Sequence, residues 1–109
     1  MTQTQTGVTD GQLVELLEAL GYVKATQVDI WFIPGRPFMK PETLRTWEGA
    51  GAVVDRMKEM GWDWGADGFE ETVDAYFGKD GNSFYGKAPT APEAICLAAR
   101  AALGLGGVA

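Results

Sequence analysis

The sequence contains no histidine. That excludes Ser-His and Cys-His nucleophile pairs, imidazole zinc sites and histidine pH switches. A single cysteine, Cys96, excludes an intramolecular disulfide and any CxxC redox or metal motif, and it fits a reducing compartment. No apolar run approaches the roughly 18–20 residues that a bilayer-spanning helix needs. The start, Met1-Thr-Gln-Thr-Gln-Thr, lacks the basic and apolar regions of a secretory signal. Positive charge is scarce too, with nine Lys and Arg against fifteen Asp and Glu, a net charge of −6 and a pI near 4.5. Non-specific nucleic-acid binding through a basic surface is therefore a poor reading. These absences lead us to expect a cytoplasmic protein without direct nucleic-acid contact, membrane contact, metal or cofactor.

What is present is an ordinary globular mixture, with 46% hydrophobic and 22% charged residues over 109 positions. A chain of that length buries roughly two-thirds of its unfolded surface, enough for one core. The charge is uneven: residues 1–23 carry −3, 24–45 carry +2, 46–80 carry −6 and 81–109 carry +1. The bland explanation of the acids is a set of solvated faces. The sharper one is an acidic patch for a basic partner, with a small basic segment left over for an anion.

Periodicity supplies the elements. Thr9 or Asp10 caps a first helix, because a side-chain oxygen there satisfies free amides of the first turn. Leu13, Leu16, Leu17 and Leu20 form its apolar stripe, and Gly21 ends it. Val28-Asp-Ile-Trp-Phe-Ile33 is β-branched and aromatic, and reads as a strand. Pro34 to Pro41 holds three prolines, so it is a stiff loop. A second helix begins between Glu42 and Thr46, with Ala50, Val53, Val54, Met57 and Met60 inward. Gly49 and Gly51 sit in one turn of it, which implies close packing there or a later start. Gly61 to Ala88 reads as a meander. Phe69, Glu71, Val73, Ala75 and Phe77 share one strand face, with Glu70, Thr72, Asp74 and Tyr76 on the other. Gly78-Lys-Asp-Gly-Asn82 supplies the hairpin turn.

The last helix opens on Thr90-Ala-Pro-Glu93, a capping-box pattern with proline in the first turn. From Ala94 to Leu103 its only charge is Arg100, expected on a thin wet stripe. A helix apolar over most of its circumference must be covered on more than one side, by other elements or by a second subunit. Self-association through this helix is thus an expectation. The fold class is α+β: a small antiparallel sheet of three to four strands packed with three helices, order α-β-α-β-β-β-α, sandwich-like. The expected boundaries are a disordered tail at 1–8, one domain over 9–104 and a flexible C-terminus at 105–109.

Two segments carry a family resemblance. Ala52-Val-Val-Asp-Arg-Met-Lys-Glu-Met-Gly-Trp62 and Ala88-Pro-Thr-Ala-Pro-Glu-Ala-Ile-Cys-Leu-Ala-Ala-Arg-Ala-Ala-Leu103 resemble the small phage and prophage proteins of the phage ABA-sandwich family, over roughly residues 46–104. The first 45 residues depart from that pattern, chiefly through the Trp31 strand and the Pro-rich loop. The resemblance implies a phage-encoded accessory protein with helices on both sides of a sheet. Its motifs are structural, so it brings no catalytic residue.

Candidate chemistry is thin. Glu70, Glu71 and Asp74 cluster, as glycosidase carboxylates do, but in an extended strand Glu70 and Asp74 share the outer, solvated face. Their spacing lacks the pattern of a calcium loop. Gly104, Gly106 and Gly107 follow a helix, so they make no phosphate loop. Cys96 lies in an apolar helix without a base. The aromatics are more suggestive. Four Trp, three Tyr and five Phe exceed what a small core absorbs. Trp31 is expected in the core, while Trp47 and at least one of Trp62 and Trp64 should be partly exposed. Aromatics beside Arg36, Lys40 and Arg45 would stack on a ring while the cations take a phosphate. The leading expectation is a non-enzymatic phage protein that sequesters a small anionic ligand, such as a host defence nucleotide, through Trp31, Arg36, Lys40, Arg45 and Tyr85. The alternatives are an acidic inhibitor, presenting 46–80 to a basic nucleic-acid-binding host protein, and a structural or virion-associated subunit.

Overall fold

A computed structural model describes residues 8–25, 30–36, 38–69 and 71–105. The chain runs α1 (Asp10–Ala19), β1 (Val23–Lys24), β2 (Trp31–Phe32), a 3-10 turn (Pro41–Arg45), α2 (Trp47–Glu59), β3 (Asp63–Phe69), β4 (Thr72–Lys79), β5 (Asn82–Ala88) and α3 (Ala91–Ala102). The α+β class and the three helices are as the sequence indicates. β1 and β2 form a separate two-stranded ladder, so the order gains one short strand. The expected strand at 28–33 is reduced to Trp31–Phe32 among the described residues, positions 28 and 29 lying outside them. Most of the expected tail, and positions 106–109, also lie outside the described residues. Val8, which the sequence assigns to the tail, is buried in the core.

The helix starts follow their caps. Thr9 caps α1 in a complete capping box with Gln12. Thr46 accepts from the Gly49 amide at the start of α2, and Thr90 from the Glu93 amide at the start of α3. The 3-10 turn just before α2 sets the unusual demand at Gly49. A Cβ there would lie 2.1 Å from the Thr43 carbonyl oxygen. At Gly51 a Cβ would meet nothing within 4 Å, although glycine in a helix costs about 1 kcal/mol relative to alanine. The two glycines therefore have different reasons.

The larger sheet has the order β3-β4-β5, antiparallel throughout. Asp80 and Gly81, at φ 54° and 85°, make the tight β4–β5 turn, which needs positive φ at both central residues. Glu71 sits in the turn before β4, so it does not share a β4 face with Val73, Ala75 and Phe77 as expected. That turn contains neither glycine nor asparagine, which is why the pattern runs through it.

Ala75 and Phe77 of β4 and Gly86 and Ala88 of β5 are buried beneath α3. Gly86 is the contact point: a Cβ would lie 2.4 Å from the Ala98 amide nitrogen and 2.5 Å from the Ala94 carbonyl oxygen. The helix backbone thus rests on the strand, with Ala94 and Ala98 one turn apart. On its other sides α3 meets α2, the 3-10 turn and α1. Its apolar circumference is covered by its own chain, the first of the two solutions the sequence allows.

Arg100 is not on a wet stripe. It is 4% exposed. Its guanidinium donates to the Gln12 and Leu105 carbonyls and to the Glu15 carboxylate, each at 2.8 Å. A buried guanidinium is tolerated because its donors find acceptors around its planar fork. The helices lie on one face of the larger sheet. Helices on both faces, as the resemblance implies, are not found among the described residues: the opposite face is exposed along β3, β4 and β5.

Candidate functional site

The five residues expected to hold an anion fall into three places. Trp31 is buried, and its backbone pairs with Met39 on one side and Lys24 on the other. That bridge folds the Pro-rich loop back over β2. Arg36 pairs with Glu59, which also accepts from Arg56 at 3.0 Å. Arg45 donates to Asp10 at 2.8 Å and to the Val8 carbonyl, and lies 3.7 Å from Glu93. It ties the starts of α1 and α3 to the 3-10 turn. Lys40 is exposed just before that turn. Tyr85 lies elsewhere, on β5, on the sheet face away from the helices. The two arginines of the basic segment are thus charge-balanced by acids from α1, α2 and α3.

The exposed sheet face gathers different residues. Register places Tyr76 directly between Gly65 and Tyr85, and Asp74 between Asp67 and Lys87. The Tyr76 and Tyr85 rings lie 5.9 Å apart at 41°, and Tyr85 is 66% exposed. Tyr76 covers Gly65 so closely that a Cβ there would be 2.4 Å from its ring. Glycine on an edge strand exposes backbone, and a cross-strand aromatic ring shields it. A shallow groove of about 410 Å³ runs along Gly65, Asp67, Asp74, Tyr76 and Tyr85. Asp67 and Asp74 are opposed like charges, and the Lys87 ammonium approaches Asp74 only to 3.9 Å. Asp63 extends the same face at the end of β3.

Two ionisable groups are shifted away from any role in chemistry. Burial pushes the Cys96 thiol up to about 12, with Glu93 adding to the rise and Arg45 opposing it. Its Sγ donates weakly to the Leu44 carbonyl at 3.5 Å. Burial likewise raises Tyr22, against the lowering effect of Arg36 and Arg56. A thiol held protonated is a poor nucleophile. Of the acidic trio read from sequence, Glu71 sits in a turn and Asp74 on the sheet face, and Glu70 lies outside the described residues. The sequence reading named Tyr85 as a candidate and did not name its cross-strand neighbour Tyr76. The signal was there in the alternation of Gly65, Asp67, Asp74 and Tyr76, which became legible only with the register.

A three-stranded sheet with all its helices on one face, its other face bearing paired tyrosines and carboxylates, defines an open-faced α+β sandwich. The chain belongs to the phage ABA sandwich domain family, whose model matches residues 40–100. That segment runs from the 3-10 turn through most of α3, so it contains the sheet face and the interior helix. A 2.0 Å crystal structure of a phage protein from Bacillus cereus ATCC 14579 is similar, with a TM-score of 0.62 and 21% identity, covering 93% of this chain and 98% of that one. At that identity the likeness concerns the fold alone. No curated protein matches the chain.

Proposed function

We propose that this phage protein is a non-enzymatic binding module that presents its open sheet face to a basic protein partner. One observation carries the reading: Asp67 and Asp74 are kept directly opposite each other beside two exposed tyrosines. Opposed like charges on neighbouring strands cost about 0.2–1 kcal/mol, and nothing within the fold requires them on a solvent-facing surface. Residues that stability would remove are candidates for function. Tyrosine supplies contact area with few rotors, and carboxylates around it select cationic partners and speed encounter.

Sequestration of a small anion stands second. It would have to displace Glu59 from Arg36, and Asp10 and Glu93 from Arg45, and would not engage Trp31 through its surface.

The test is capture from host lysate by wild type and by Asp67→Lys, each across a salt series, with native mass spectrometry of the purified protein in parallel. One basic protein retained by wild type, released by salt and lost in the variant is the expected result. Equal capture by both proteins, or a retained nucleotide with no protein partner, would overturn it.

A further inference from the structure

At the seam between α2 and edge strand β3 lies an apolar cleft of about 270 Å³. Trp47, Gly51, Asp55 and Trp64 line it from exposed positions, and Ala50, Val54 and Ile95 from buried ones. Trp47 is 67% exposed and Trp64 is exposed as well. Among the described residues neither indole carries a cation or a stacked ring. Trp62 is different: the Lys79 ammonium sits 5.4 Å over its ring, anchored by the Met60 carbonyl at 3.0 Å. Asp55 makes no ion pair among the described residues, its neighbour Arg56 being turned to the Leu20 carbonyl and Glu59.

Gly51 is the second, independent sign. Gly49, two residues earlier, is forced by the Thr43 carbonyl, whereas a side chain at Gly51 would meet only open space. The missing side chain serves no packing within the chain. Its effect is to leave the cleft open at that position. An apolar trough with indole walls and one unpaired carboxylate complements a side chain with a long apolar stem and a planar cationic head.

We infer that the Trp47–Trp64 cleft receives an arginine side chain of the basic protein partner, its guanidinium on an indole face and against Asp55, its stem over Ala50 and Val54. The inference rests on the basic-partner reading, but it concerns a different surface, and its test needs no partner.

The probe is the peptide acetyl-Gly-Arg-Gly-amide, titrated into the full chain while the tryptophan indole N–H signals are followed by NMR. The citrulline peptide, a neutral isostere, is the control. Saturable shifts at Trp47 and Trp64, absent at Trp31 and Trp62, are expected, with the citrulline peptide weaker by about tenfold. Gly51→Leu should fold as well as wild type and abolish the shifts. Asp55→Asn should weaken binding by about threefold to tenfold. Equal binding of the two peptides, unchanged shifts in Gly51→Leu, or no shift at either indole would overturn the inference. Trp47→Ala, a change at the surface, provides the same loss of binding should Gly51→Leu fold poorly. Absence of shifts leaves the sheet-face reading intact, and equal capture by wild type and Asp67→Lys, which overturns the sheet-face reading, leaves this one intact.

Discussion

The Arg100 guanidinium joins α3 to α1 by donating to the Glu15 carboxylate at 2.8 Å, with the arginine buried and the glutamate more than half exposed. The pair is unequal. Arg100 also satisfies two backbone carbonyls, whereas Glu15 faces water. Arg100→Ala should cost about 2–4 kcal/mol in denaturant unfolding, since it strands buried acceptors. Glu15→Ala should cost less than about 1 kcal/mol, because a solvent-screened partner contributes little. Equal losses would mean that the ion pair, and not the carbonyl contacts, holds the helices together.

Gly49 and Gly51 should respond in opposite directions to the same substitution. Gly49→Ala drives a methyl group into the Thr43 carbonyl and should destabilise by about 1–3 kcal/mol. Gly51→Ala should stabilise by about 0.5–1 kcal/mol, because it restrains the unfolded chain at no steric cost. Thermal unfolding of the two single variants measures both.

Tyr76 and Gly65 should be energetically coupled. Alanine at position 65 would displace the Tyr76 ring, so Gly65→Ala should be unfavourable in wild type despite the poor strand propensity of glycine. In a Tyr76→Ala background the same change should be neutral or stabilising. A double-mutant cycle should return a coupling of about 0.5–1.5 kcal/mol.

Alkaline pH should unfold the protein through its buried thiol. Cys96 titrates near 9 when free and at about 12 in the fold, so the folded state holds the proton more tightly. Its contribution to stability is therefore full below pH 9 and is lost as pH rises from 9 towards 12. The slope is about 1.4 kcal/mol per pH unit for one group. Tyr22, raised from 10, adds in the same direction at higher pH. Cys96→Ala should flatten the pH dependence of the unfolding midpoint between 9 and 10. The native thiol should also resist a disulfide reagent at pH 8 until denaturant is added.

The helices and the β4–β5 hairpin were readable because each rests on local signals: the Thr9 and Thr90 caps, the leucine spacing of α1, and Asp80-Gly81. Arg100 was misread for a physical reason. Periodicity equates charge with water, and cannot see that Gln12, Glu15 and Leu105 converge from 5 to 88 residues away in sequence to enclose a guanidinium. The same blindness made Arg36 and Arg45 look available, since Glu59, Asp10 and Glu93 reach them only across the tertiary structure. Gly86 gave no sign at all, because a close helix–strand approach is a property of two backbones. For the sheet face, the acidic excess of 46–80 was visible in the sequence. The alignment of Asp63, Asp67 and Asp74 beside Tyr76 and Tyr85 depended on register, which a shift of one residue would reverse.

The placement of α3 sets the timing of folding. Residues 91–102 form the middle layer, and the sheet, α2, the 3-10 turn and α1 all close onto them. Everything made earlier on the ribosome is an incomplete shell with its apolar inner surfaces exposed. At about 5–20 residues per second the nascent chain spends seconds in that state. Folding should therefore wait for α3, and chaperone dependence during synthesis should fall sharply once Leu103 has emerged.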